Sequence, residues 1–162
     1  MVFTGYNGRQ KGCDQMRVQR IEHQTKLERK LIAYAQKCSW IAGPHLAELL
    51  IENRLEDWEA AFALLDDREN VVGFCTFLKT DYYPENRYSP WISTMFVDER
   101  VRGQRLSGLL IEAAVAYARA CGFTRVYIPS DMTGFYEKYG FMPIDRLVNY
   151  GGDTDTIFAK EI

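Results

Sequence analysis

The chain has 162 residues, 47% of them apolar and 26% charged, and a formal net charge of −2. These values fit one globular domain with one core, and they argue against nucleic acid as the main partner, since phosphate backbones select basic surfaces. No apolar run approaches the ~20 residues that a membrane helix needs.

The first residues, Met1 to Gln15, are Gly-rich and polar rather than basic then apolar, so they do not read as a signal peptide. They are expected to form a flexible leader, residues 1–15, ahead of a single domain over 16–162. The cysteines are Cys13, Cys38, Cys75 and Cys121. Their spacing writes neither a zinc ribbon nor a redox pair. The apolar settings of Cys75 and Cys121 predict buried free thiols and a reducing, cytoplasmic compartment. His45 and Glu48 stand one helical turn apart but read as surface residues, so no metal is expected. The 14% aromatic content reads first as a dense core.

In chain order, Met16 to Ile21 predicts a short strand. Thr25 and Glu28 form a capping box that opens a helix, with Leu27, Leu31, Tyr34 and Cys38 on one face. Gly43-Pro44 predicts a break, with Pro44 starting a second helix that runs to about Trp58. Ala60–Leu65 and Val71–Lys79 read as a hairpin around the turn-rich Asp66 to Asn70. A loop from Asp81 to Arg87 leads to a central strand, Trp91–Val97. A third helix follows with an apolar stripe of Leu106, Leu109, Leu110, Ala113, Tyr117 and Cys121, and Gly122 is placed to stop it. A strand at Arg125–Ile128 and a short helix at Thr133–Tyr139, capped by Asp131, come next. Strands at Phe141–Asp145 and Thr154–Lys160 flank the loop Asn149 to Asp153. The order β-α-α-β-β-β-α-β-α-β-β implies an α+β, three-layer fold: a mixed sheet with helices on both faces.

Arg102, Gly103, Gln104, Arg105, Leu106, Ser107 and Gly108 sit where the central strand hands over to the third helix. Helix N-termini present free N–H groups and partial positive charge, so this segment is expected to hold a phosphate. It lacks the Gly-Lys-Ser/Thr ending of a P-loop.

With this element order, Arg102 to Ser107 resembles the Gln/Arg-x-x-Gly-x-Gly/Ala signature of the GNAT superfamily of acyl-CoA-dependent N-acetyltransferases. Arg102 matches. Arg105 stands where the family usually has Gly, and Ser107 where it has Gly or Ala. Gly134-Phe-Tyr-Glu-Lys-Tyr-Gly-Phe141 is similar to the family's C-terminal segment. The resemblance covers about 16–162. It implies a largely antiparallel sheet whose fourth and fifth strands splay, with acetyl-CoA in the gap: pantetheine on the backbone of Met95, Phe96 and Val97, and pyrophosphate on Arg102 to Gly108. Gly103 and Gly108 would permit close approach, and Arg102 and Arg105 would add charge-assisted contacts. Arg105 is expected to keep an ordinary negative φ.

The resemblance also implies the chemistry. Tyr136 would protonate the leaving thiolate and touch the cofactor, while Tyr139 reads as core. A backbone N–H near Met95, freed by a β-bulge, would steady the oxyanion. Asp81 and Glu85, in the loop before the central strand, are the expected bases. Asp98 and Glu99 read as solubilising loop charges. Tyr82, Tyr83, Trp91 and the first two helices would line a pocket for an amine of a small molecule or peptide. A homodimer is expected from the family alone. A non-catalytic acyl-CoA-binding module is the other reading.

Overall fold

The computed structural model describes residues 15–162. The expectation for residues 1–14, Cys13 included, lies outside the described residues. The elements are β1 (Arg17–Arg20), α1 (Lys26–Gln36), α2 (Ala42–Ile51), β2 (Ala60–Leu65), β3 (Val71–Leu78), β4 (Trp91–Val97), α3 (Leu106–Ala120), β5 (Arg125–Ser130), β6 (Met142–Val148) and β7 (Thr154–Glu161). They build one seven-stranded sheet in the order β1-β2-β3-β4-β5-β7-β6. All neighbours pair antiparallel except β4 and β5, which run parallel.

Strand alternation sorts the core into two layers. From β2, Ala60, Phe62 and Leu64 face α3, whereas Ala61, Ala63 and Leu65 face α1 and α2. β2 is buried along its whole length, as a strand covered on both faces must be. Each fully buried Leu or Phe side chain contributes about 1.5–3 kcal/mol, so this sandwich of helix, sheet and helix is the main source of stability. A tight contact joins α1 to α2: a Cβ on Gly43 would lie 2.6 Å from the Ala35 carbonyl oxygen and 2.5 Å from the Cys38 Cβ. Only a glycine lets those backbones meet.

The capping box forms with its acidic half shifted by one residue, onto the Gln24 amide instead of the Thr25 amide. Thr25 Oγ1 accepts from the Glu28 amide, and Glu28 Oε2 accepts from the Gln24 amide at 2.7 Å. Other expectations need correction. The break between the helices comes at Lys37 rather than at Gly43-Pro44, and Pro44 lies inside the first turn of α2. α2 stops at Ile51, well before Trp58, because Asn53 (φ 49°) and Asp57 (φ 46°) turn the chain through left-handed conformations. The fourth helix is only a 3-10 turn, Tyr136–Tyr139, without a side-chain cap from Asp131. Gly134 at φ 77° interrupts any longer helix. The fully buried face of α3 is Leu106, Leu110, Ile111, Ala114, Val115 and Ala118, with Leu109, Ala113 and Tyr117 at its margin. Cys121 falls at the C-cap and is exposed, so only Cys75 of the expected pair is a buried thiol.

Candidate active site

Two departures from regular sheet geometry meet at β4. Its partner β3 pairs Phe74 with Phe96 and Thr76 with Ser93, so Thr94 and Met95 together oppose the single residue Cys75. That is a β-bulge, the irregularity anticipated near Met95. Thr94 sits there at φ 50°, a genuine outlier for a β-branched residue and the kind of local strain that collects at functional sites. On the other edge, β4 pairs with β5 only at Trp91 and Tyr127. Beyond that point the two parallel strands part, and the backbone from Ser93 to Val97 borders a wedge.

The loop after β4 leads to the N-terminus of α3. Asp98 Oδ1 accepts from the Arg100 amide and so caps a 3-10 turn, Glu99–Val101. Its carboxylate also takes the Arg100 guanidinium and, at 3.0 Å, the Tyr34 hydroxyl. The hydrogen bond from Arg100 holds the Asp98 carboxyl well below the usual carboxylate range. Burial, and then the bond to Asp98, push the Tyr34 phenol up. Asp98 is therefore an anchor between this loop and α1, not merely a solubilising charge. Glu99 joins the same seam, accepting from Ser39 Oγ at 3.1 Å.

Arg105 corrects a specific expectation. It adopts φ 57°, ψ 30°, the left-handed conformation, and serves as the N-cap of α3. The backbone shape that favours glycine is kept here by an arginine, at a cost of roughly 1 kcal/mol. α3 has no side-chain cap and no acid in its first turn. Its N-terminal dipole is therefore not neutralised from within, which suits an anion. Gly103, at φ 83°, faces open space: nothing lies within 4 Å of where its Cβ would be. Gly108 has a different role from the expected one, since a Cβ there would lie 2.8 Å from the Tyr139 ring. It lets Tyr139 pack on the first turn of α3. The Arg102 side chain turns back, donating from Nε to the Val97 carbonyl at 2.9 Å and lying over the Phe96 ring. Arg105 and Gln104 stay on the exposed rim with Gly103, and Leu106 is buried beneath them.

Tyr136 begins the 3-10 turn after β5 and is buried among Phe135, Phe141 and Phe158. Burial pushes its phenol up to about 12. The hydroxyl stays protonated across the physiological range, as a proton donor must. Tyr139, the neighbour expected to be core, is half-buried at the margin of the same cluster.

The loop before β4 separates the two carboxylates proposed from sequence. Glu85 is 66% exposed and bound to Arg87 at the surface. Asp81 turns inward. Its Oδ1 accepts from the Tyr82 amide at 2.6 Å, while its Oδ2 is buried without a hydrogen-bond partner among the described residues. Burial pushes the Asp81 carboxyl up; the Tyr82 amide and the nearby Ser93 hydroxyl oppose this, and the charge of Asp155 adds to it. Ser93 lies beside the bulge, and its oxygens contact Thr76 Oγ1 at 3.1 and 3.2 Å. Of the expected aromatic lining, Tyr83 and Trp91 are buried and stacked on each other, with centroids 5.7 Å apart, whereas Tyr82 is exposed and leans on Tyr150. Tyr88 and Tyr127 complete the aromatic cluster around Trp91, whose Nε1 is also buried without a partner.

Sequence reasoning missed Ser93, Thr94 and Asp155. Thr94 carries no signal for a positive φ. Ser93 and Asp155 gain meaning only when β3, β4 and β7 are brought together. A separate basin of about 590 Å³ opens between α1, the β2–β3 turn and the loop after β4, lined by Lys30, Tyr34, Asn70 and Arg100 among others. It lies away from the bulge, from Tyr136 and from Asp81, so its volume does not make it the reaction site.

Comparison with known proteins agrees with this geometry. The family model described as "Acetyltransferase (GNAT) family" matches residues 24–141. No curated protein matches the chain. Among solved structures, an acetyltransferase from Streptococcus agalactiae is similar at 23% identity and TM-score 0.63, covering 91% of this chain and 98% of its own. An N-acetyltransferase (YhbS) from Escherichia coli in complex with CoA is similar at 16% identity and TM-score 0.68, covering 95% and 85%. A spermidine N-acetyltransferase (SpeG) variant from Vibrio cholerae is similar at 15% identity and TM-score 0.64, covering 90% and 93%. The wedge, the bulge and the uncapped helix N-terminus fit an acyl-CoA thioester with its diphosphate. The chain belongs to the GNAT acetyltransferase family, and it is an acyltransferase that uses acetyl-CoA.

Proposed function

We propose that this enzyme transfers acetyl groups to a cationic amine of a small molecule or peptide, with Asp81 as the proton acceptor and Tyr136 as the proton donor. The observation that carries the reading is Asp81 Oδ2, a buried carboxylate oxygen without a hydrogen-bond partner among the described residues, near Ser93 and the β4 bulge. A carboxylate left unpaired in a low-dielectric setting is costly, and an ammonium group is the ligand that removes the cost. The exposed ring of Tyr82 adds cation–π attraction.

Acetyl-CoA supplies the acetyl group as a thioester. The acceptor must lose a proton to become nucleophilic, and Asp81 Oδ2 takes it. A carboxyl with a raised pKa is a stronger base than an ordinary aspartate. The bulge at Thr94–Met95 withdraws backbone N–H groups from the β3 ladder and leaves donors for the acetyl oxygen. Tyr136 holds a proton at its hydroxyl for the departing sulfur. Gly103 to Ser107 offer amide groups for the diphosphate, with Arg105 adding charge from the rim. Among similar structures, a spermidine N-acetyltransferase and an aminoglycoside 6'-acetyltransferase are, by name, enzymes for amine-rich acceptors.

The test is CoA release from acetyl-CoA with spermidine, kanamycin, free lysine and a lysine-bearing peptide as acceptors. At least one should accelerate release, and Asp81→Asn should abolish that acceleration. Release stimulated by thiols or alcohols but by none of these amines would contradict the reading.

A further inference from the structure

The loop that carries Asp81 is latched to the far side of the sheet. Tyr83, two residues on, is buried and donates from its hydroxyl to Asp155 Oδ2 at 2.7 Å. The same oxygen accepts from Asn149 Nδ2 at 3.0 Å. The Tyr150 amide donates to the Tyr82 carbonyl at 3.2 Å, and the Tyr82 and Tyr150 rings lie 5.3 Å apart. The β3–β4 loop is thus tied to β7 and to the β6–β7 turn by contacts that centre on one carboxylate. The charge of Asp155 is also felt at Asp81, whose carboxyl it pushes up. We propose that Asp155 is a positioning residue for Asp81: it fixes the β3–β4 loop through the Tyr83 hydroxyl and confronts Asp81 with a second negative charge. This rests on the reading of Asp81 as the proton acceptor.

The groups around Asp81 are few. From its own loop come the Tyr82 amide, the Tyr83 phenol and Asn86, whose Oδ1 accepts from the Asp81 amide. From β4 comes Ser93, with Thr76 of β3 behind it. From β7 comes Asp155. Burial keeps the Tyr83 phenol neutral, so Asp155 is the charged neighbour in this set. Its charge disfavours ionisation of Asp81, making Asp81 the better base.

Two variants separate the charge from the latch. Asp155→Asn keeps an acceptor for Tyr83 but removes the charge. Tyr83→Phe removes the hydroxyl but keeps the charge. The readouts are the midpoint of the Asp81 side chain, followed by carbon-13 NMR on aspartate-labelled protein, and the acidic limb of the pH–rate profile with the best amine of the panel above. In Asp155→Asn both should move down, with KM for acetyl-CoA within twofold of wild type. In Tyr83→Phe neither should move down, while kcat falls several-fold because the loop is freed. An unchanged Asp81 midpoint in Asp155→Asn would overturn the proposal. Failure of the underlying reading is distinguishable: Asp81→Asn would then keep full turnover, whatever the NMR midpoint does.

Discussion

The loops on either side of β4 make opposite use of their side chains. After β4, Gly103 and Arg105 point to solvent or open space, and what the segment offers a ligand is backbone: left-handed turns and an uncapped helix N-terminus. Before β4 and at its first residue, Asp81, Tyr83 and Trp91 are turned inward, and what that segment offers is a buried carboxylate beside an aromatic cluster. In the proposed reading the first arrangement would grip a diphosphate, a group common to every acyl-CoA. The second would read the acceptor, which differs between enzymes. A backbone-built site tolerates substitution, as Arg105 in a glycine-like conformation shows. A site built from a buried carboxylate should not.

The contrast is sharpest at Asp81. Asp81→Asn should lower kcat on the order of 10²- to 10³-fold with the Kd for acetyl-CoA within twofold, whereas Glu85→Gln, on the surface beside Arg87, should stay near wild type. Equal losses in the two variants would erase the distinction between them. Tyr136→Phe comes next. Loss of its proton should reduce kcat by about tenfold or somewhat more, again with acetyl-CoA affinity nearly intact. A Tyr136→Phe enzyme with full turnover would remove the phenol from the mechanism.

Smaller effects test the loop after β4. Asp98 is held below its ordinary range by Arg100, so it stabilises the fold at pH values above the unfolded pKa of about 4. That contribution fades as the pH falls through the folded value. The Tm difference between wild type and Asp98→Asn, present near neutrality, should therefore shrink as the solution is acidified below about pH 4. A difference independent of pH would refute the sign. The smallest effect is Arg105→Gly, which relieves a left-handed arginine and should raise stability by about 0.5–1 kcal/mol, with acetyl-CoA affinity weakened only modestly. A marked fall in Tm would show that the Arg105 side chain is structural.

The sequence was most legible where local chemistry decides the structure. The capping pair Thr25 and Glu28, the β2–β3 hairpin around Asp66 to Asn70 and the bounds of β4 could be read because each depends on neighbours in the chain. The Arg-Gly loop and the Phe-Tyr-Glu-Lys segment were legible by resemblance. Long-range packing hid the rest. Nothing near Asn53 announces that it will take a positive φ and end α2 early. The bulge near Met95 was legible by resemblance alone, and nothing in the residues around Thr94 announces its positive φ. Asp81 and Glu85 are equivalent in sequence, and only the docking of their loop on β4 and β7 buries one and exposes the other. The packing of Tyr139 on Gly108 is not legible locally, because the two stand thirty-one positions apart.

The account depends on the wedge between β4 and β5 being where the acyl donor lies. An amide-resolved NMR titration of the protein with CoA tests that most directly. The largest shifts should fall on Thr94 to Val97 and on Gly103 to Gly108, with the Lys30–Asn70 basin little changed. Shifts concentrated around Lys30, Tyr34 and Asn70, with Thr94 to Val97 silent, would contradict it.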